Sequence, residues 1–153
     1  MKITKSFLFY CEDNIEVHKT IEFEQHDGRQ DLVTNKTAMV MLFDQNLISV
    51  EDSSNPQGNA KSIRYGLQGA NILLTVLESF RRGMIPARAK GVWISDSIQI
   101  KASTTVQGTT NLCLTRVAKS EKSEEKREIF LTPVQAASLE KCIYHVLSYL
   151  ARV

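Results

Sequence analysis

With 153 residues, 42% of them hydrophobic and 24% charged, and with only 7 Gly and 3 Pro, the chain is not collagen-like, low-complexity or wholly disordered. Its length is that of one domain spanning 1–153, large enough to bury a core without disulfides or metals. The formal charge of +2 is too small to imply a polyanionic partner by itself, and no apolar run approaches the roughly 18–20 residues of a membrane helix.

Along the chain, Phe7-Leu8-Phe9-Tyr10 follows a basic start but is too short for a secretory signal, and Glu12-Asp13 comes at once; it reads as a strand. From 15 to 24, Ile15, Val17, Lys19, Ile21 and Phe23 alternate with Glu16, His18, Thr20, Glu22 and Glu24, the pattern of a half-buried strand. The apolar run 38–43 predicts a more buried strand, Asp44-Gln45-Asn46 a turn, and Leu47–Val50 the return. Residues 52–59 are loop by composition. Ser62–Leu67 alternates again and leads into a helix with the face Ile72, Leu73, Val76, Leu77 and Phe80. Arg81 and Arg82 suit its last turn, and Gly83 is placed to end it.

After a linker, 84–91, the stretches Val92-Trp93-Ile94 and Ser97–Val106 predict strands, Gln107–Thr110 a turn, and Asn111–Lys119 a returning strand. Residues 120–127 hold no apolar side chain and predict a mixed-charge hairpin tip. Ile129-Phe130-Leu131 is a short strand that runs directly into a helix with the stripe Leu139, Cys142, Ile143, Val146, Leu147 and Leu150. Thr132 is its N-cap, Pro133 its first residue, and Gln135 completes a capping box.

The order divides near residue 84 into halves 1–83 and 84–153, each of about four antiparallel strands followed by one helix. No residue identity links them, so the repeat is one of plan. The predicted fold is α+β, with two antiparallel sheets packed together and braced by the helices. Charge follows the division unevenly. Residues 1–52 hold 5 basic and 10 acidic side chains, whereas 53–153 hold 14 and 7. Between 61 and 119 nine basic residues meet only Glu78 and Asp96, the footprint of a nucleic-acid partner; a dipolar surface of no special use is the competing reading.

Catalytic patterns are absent from the sequence. There is no G-x-S-x-G, no H-E-x-x-H and no phosphate-cradling glycine run, and Gly66-Leu67-Gln68-Gly69 reads as a backbone bend. His18, His26 and His145 are scattered. Cys11, Cys113 and Cys142 lack C-x-x-C spacing and read as buried free thiols of a reducing, cytoplasmic setting. A non-enzymatic protein without cofactor, metal or membrane partner is expected.

The segment Lys126-Arg127-Glu128-Ile129-Phe130-Leu131-Thr132-Pro133-Val134, followed by the helix Leu139–Leu150, resembles the end of Whirly-type proteins, where a final strand enters a proline-containing helix start. Ser97–Lys119 is similar to the hairpin before it, and Lys61–Leu67 running into Ile72–Phe80 to the junction that closes the family's first half. The likeness spans roughly 40–153 and is one of layout and hydrophobic pattern. Purine-rich-element and guide-RNA-binding proteins share the same unit. The resemblance implies two four-strand-plus-helix halves and a homotetrameric binder of single-stranded DNA, or of RNA, acting in replication, recombination or transcription. The Lys-Gly-Lys-Ala-Ala-Leu motif of plant members has no counterpart, since Lys2–Leu8 lacks its glycine and alanines. Assembly tied to that motif is not carried over.

A strand-binding sheet needs cations for phosphates and flat side chains for bases. The candidates are Lys5, Lys61, Arg64, Tyr65, Arg88, Lys90, Trp93, Lys101, Arg116 and Lys119. Lys101 and Arg116 fall on neighbouring strands, while Arg64 and Tyr65 are adjacent and must face opposite ways. Phe7, Phe9 and Tyr10 with Lys5 form a second strip, although Phe7 and Phe9 share a strand face and read first as core, as a lone Trp93 also can. Leu139, Ile143, Val146, Leu147 and Leu150 are expected to form an oligomer interface. The alternative is an oligomeric accessory factor that works through its acidic N-terminal third and the 120–127 tip.

Overall fold

Period-two patterning builds two sheets and 3.6-residue patterning two helices in the computed structural model, which describes residues 2–12, 15–24, 39–52, 61–84, 91–119 and 124–153. In order these are β1 (Lys2–Glu12), β2 (Ile15–Glu24), β3 (Met39–Phe43), β4 (Leu47–Asp52), β5 (Lys61–Gly66), α1 (Leu67–Arg81), β6 (Val92–Trp93), β7 (Ile98–Thr104), β8 (Thr110–Lys119), β9 (Glu124–Leu131) and α2 (Pro133–Leu150). Strands β1–β5 form one sheet and β6–β9 the other, each in chain order.

The fold is α+β, but the first sheet corrects the expectation twice. It has five strands, one at each stretch read as a strand and one more than the four-strand plan, and β2 and β3 run parallel, with Ile15 beside Met39 and Lys19 beside Phe43. Chain length explains the second point. Short turns force antiparallel neighbours, whereas the 14 residues between Glu24 and Met39 exceed the dozen or so that a parallel crossover needs. The second sheet is antiparallel throughout.

One face of each sheet is apolar. On the first, Ile15, Val17, Met39, Met41, Phe43, Ile48, Val50, Ile63 and Tyr65 are buried; on the second, Ile100, Leu112, Leu114, Ile129 and Leu131. The apolar faces of α1 and α2 meet both sets in one cluster, and the helices also pack on each other.

The helix ends follow their local chemistry. Thr132 Oγ1 accepts from the Gln135 N–H at 3.2 Å, and the Gln135 side chain accepts from the Thr132 N–H at 3.0 Å. Such a cap is worth about 1 kcal/mol. At the end of α1, Gly83 takes φ 88° while its N–H reaches the Phe80 carbonyl and that of Met84 the Ser79 carbonyl. This paired arrangement satisfies carbonyls that the helix leaves open. Gly69 lies inside α1 and marks a close approach: a Cβ there would lie 2.9 Å from Ile94 Cγ2, just past β6.

Two boundaries differ from expectation. Strand β9 begins at Glu124, and Arg127 to Glu124 pair in register with Arg116 to Lys119, so half of the supposed hairpin tip is strand. The backbone ladder holds these residues, which lack the apolar side chains that hydrophobic alternation detects. Residues 120–123 lie outside the described residues. Cys113 and Cys142 are buried free thiols, but Cys11 is exposed. Among the described residues no helix is long and apolar enough to cross a membrane, and no His, Cys, Asp or Glu cluster could hold a metal ion.

Candidate nucleic-acid interface

The outer face of the second sheet follows from its register. Trp93 pairs with Gln99, Gln99 with Thr115 and Thr115 with Glu128; one row along, Lys101 pairs with Cys113 and Cys113 with Phe130. Residues paired across strands share a face, so all seven point away from the helices. Trp93 is 53% and Phe130 49% exposed, whereas Gln99, Cys113 and Thr115 between them are buried. Strand spacing puts the two rings at opposite edges of the sheet, about 15 Å apart. Lys101 stands between them, half-buried, and Lys126 lies farther along the same face, exposed.

Backbone geometry places Trp93. Gly91 adopts φ 58°, and a Cβ there would come within 2.7 Å of the Ile100 carbonyl oxygen, so only glycine brings the chain this close to β7 before β6. The floor is a small polar group set. Cys113 Sγ lies 3.4 Å from Thr115 Oγ1 and donates to a Glu128 carboxylate oxygen at 3.5 Å. Burial pushes the thiol up; the Thr115 hydrogen bond opposes this and Glu128 adds to it. Cys113 therefore stays protonated and unreactive at neutral pH.

The other candidates scatter. Arg116 pairs with Ile98 and so points to the opposite face from Lys101, beside Arg127 and a hollow of about 210 Å³. Lys61 stands at the edge of the first sheet and donates to the Glu128 backbone carbonyl at 3.4 Å. Arg64 is exposed on the outer face of the first sheet, near Glu51, and its neighbour Tyr65 faces inward. Tyr65 is fully buried, which pushes its phenol well above the usual range and removes it as a base-stacking residue. Arg88, Lys90 and the Lys119 side chain lie outside the described residues. Arg81 pairs with Glu140 at 2.9 Å and Arg82 with Glu78 at 2.9 Å, as helix-end charges. The described cations of 61–119 therefore do not gather on one face.

The N-terminal strip also divides. A register shift between Leu8 and Tyr10 breaks the alternation, so Phe7 and Phe9 do not share a fate. Phe9 packs edge-on against Phe43 and Tyr149, each ring centre 5.0 Å away, while Phe7 is 51% exposed beside Lys19. Lys5, next on that face, pairs with Ile21. Tyr10 turns to α2, its ring 4.2 Å from His145; its hydroxyl donates to Glu12, which pushes the phenol up to about 12.

The oligomer stripe is corrected in part. Leu139, Ile143 and Val146 are fully buried within the chain, and Leu147 and Leu150 pack against the same core. Leu139, Ile143 and Val146 are thus taken up by the chain's own core, while Leu147 and Leu150 stay partly uncovered.

Phe130 is the site residue that pattern reasoning misses. It sits between Ile129 and Leu131 in an apolar triplet, yet strand parity buries its neighbours and turns Phe130 outward. The parity is visible in Glu128-Ile129-Phe130-Leu131-Thr132 once Ile129 and Leu131 are assigned inward. No protein-family model, curated protein or solved structure matches the chain.

Proposed function

We propose that the protein binds single-stranded nucleic acid, DNA in the first instance, across the outer face of its second sheet. The observation that carries this is the pair of half-exposed rings, Trp93 and Phe130, on one face with Lys101 between them. Stacking a base on an aromatic side chain is worth about 1–3 kcal/mol, and it requires the free base faces that a duplex conceals. Lys101 and Lys126 supply charge for the phosphates, and the buried floor gives the strand a flat bed. Strand-then-helix order in both halves, which resembles Whirly-type proteins, supports the same reading. RNA offers the same base faces. A protein of this kind serves wherever strands are transiently opened, in replication, recombination or transcription. Leu139, Ile143 and Val146 serve the chain's own core and not a homo-oligomer contact.

Fluorescence anisotropy with a labelled single strand and its duplex, over a salt series, tests the proposal. The single strand is expected to bind more tightly, with log K falling by about 0.7 per log unit of salt for each phosphate neutralised. Replacing Lys101 by Ala should lower that slope by about one such contact. No binding at low salt, or duplex binding of equal strength, would sink the idea.

A further inference from the structure

One group on the outer face of the second sheet is at odds with a polyanion. Glu128 stands two residues before Phe130 on β9, so both side chains leave the same face about 7 Å apart along the strand. The residue is half-buried and its carboxylate takes a hydrogen bond from the Cys113 thiol at 3.5 Å. Among the described residues it forms no ion pair. A carboxylate repels phosphate and weakens any site that follows only the backbone. It becomes useful where a base edge meets it, because an ionised carboxyl accepts hydrogen bonds and donates none.

Resting on the strand-binding reading, we infer that Glu128 selects the base stacked on Phe130. An edge with an exocyclic amino group, as in cytosine or adenine, is held; the carbonyl-flanked edge of thymine or uracil is rejected. The reach suits this, since a ring centred over Phe130 extends its edge along the strand toward the carboxylate. Trp93, at the far edge, has Gln99 as its cross-strand neighbour. Gln99 is itself buried, so no charged edge faces a base stacked on Trp93 and that end of the platform does not select. Selection therefore falls on the β9 side alone.

The experiment compares oligo-dC with oligo-dT of equal length, two pyrimidine strands of similar stacking, on the wild-type protein and on Glu128→Gln. Wild type is expected to bind oligo-dC at least about fivefold more tightly, the low end for a base-specific contact. In Glu128→Gln the gap should close, mainly because oligo-dT binding rises once the negative charge is gone and the amide can face either edge. A purely structural role through Cys113 would shift both oligonucleotides together and leave their ratio unchanged. Equal wild-type affinities, or a ratio that survives Glu128→Gln, overturns the selection while strand binding stands. Failure of both oligonucleotides to bind wild type at low salt overturns strand binding itself, and the selection with it.

Discussion

Both sheets give one face to the helices and one to the outside, yet the outer faces differ in chemistry. On the first sheet, Leu8, His18, Leu42, Ser49 and Arg64 make one row and Cys11, Glu16, Val40, Glu51 and Ser62 the next. The one ring among these is that of His18, and it is buried. Glu16 and Glu51 outnumber Arg64 there, and Glu51 and Arg64 line a hollow of about 240 Å³. On the second sheet, among the described side chains, two exposed rings accompany Lys101 and Lys126 against Glu128. Openness is common to both faces, so openness does not define the site. A base needs a flat partner and a phosphate needs a surplus of cations, and the second sheet offers both.

The comparison breaks first at the shared core. If the sheets were independent bodies, their outer faces could not be compared as parts of one molecule. Leu139 lies in the cluster that serves both. Leu139→Ala should cost about 2–5 kcal/mol, and calorimetry should still show a single unfolding peak at lower temperature. Two separate peaks would mean that the sheets unfold apart. The next largest effect concerns the faces themselves. Trp93→Ala and Phe130→Ala should each weaken single-strand binding by about 1–3 kcal/mol, while Arg64→Ala on the first sheet should change it by less than about twofold at matched salt. Titrations at fixed ionic strength check this, and the reverse ranking would move the site to the first sheet.

How much of this was legible beforehand depends on the kind of signal. Capping and periodicity are local, so the Thr132–Gln135 box, the Gly83 stop and the inward set of β2 can be read from sequence alone. Face assignment in the candidate site is not local. Lys101 and Arg116 look like partners on one hairpin, but the register sets Lys101 beside Cys113 and Arg116 beside Ile98, which separates them. A one-residue difference in pairing inverts every side chain, and no composition argument senses it. Tyr65 shows the same limit from the other side. It has the chemistry of a stacking residue and the parity of a core residue, and parity decides. The parallel β2–β3 pair was hidden because strand direction depends on a long connection and not on the strands' own residues.

The smallest predicted effect tests whether the first sheet's outer face is built for charge at all. Glu51 stands there with Arg64, and burial raises its carboxyl above the ordinary value while Arg64 opposes the rise. A raised folded-state pKa means that the fold favours the protonated acid. The stability this contributes is fully present below the ordinary carboxylate pKa of about 4.3 and is lost as pH climbs through the raised value. At neutral pH the ionised Glu51 is therefore a small burden. Glu51→Gln, neutral at every pH, should raise the melting temperature slightly near pH 7, and the advantage should vanish in acid. Thermal melts across pH give the answer directly. If Glu51→Gln instead lowers stability at pH 7, the attraction to Arg64 outweighs the burial, and the first sheet carries a working ion pair on the face set against the stacking platform.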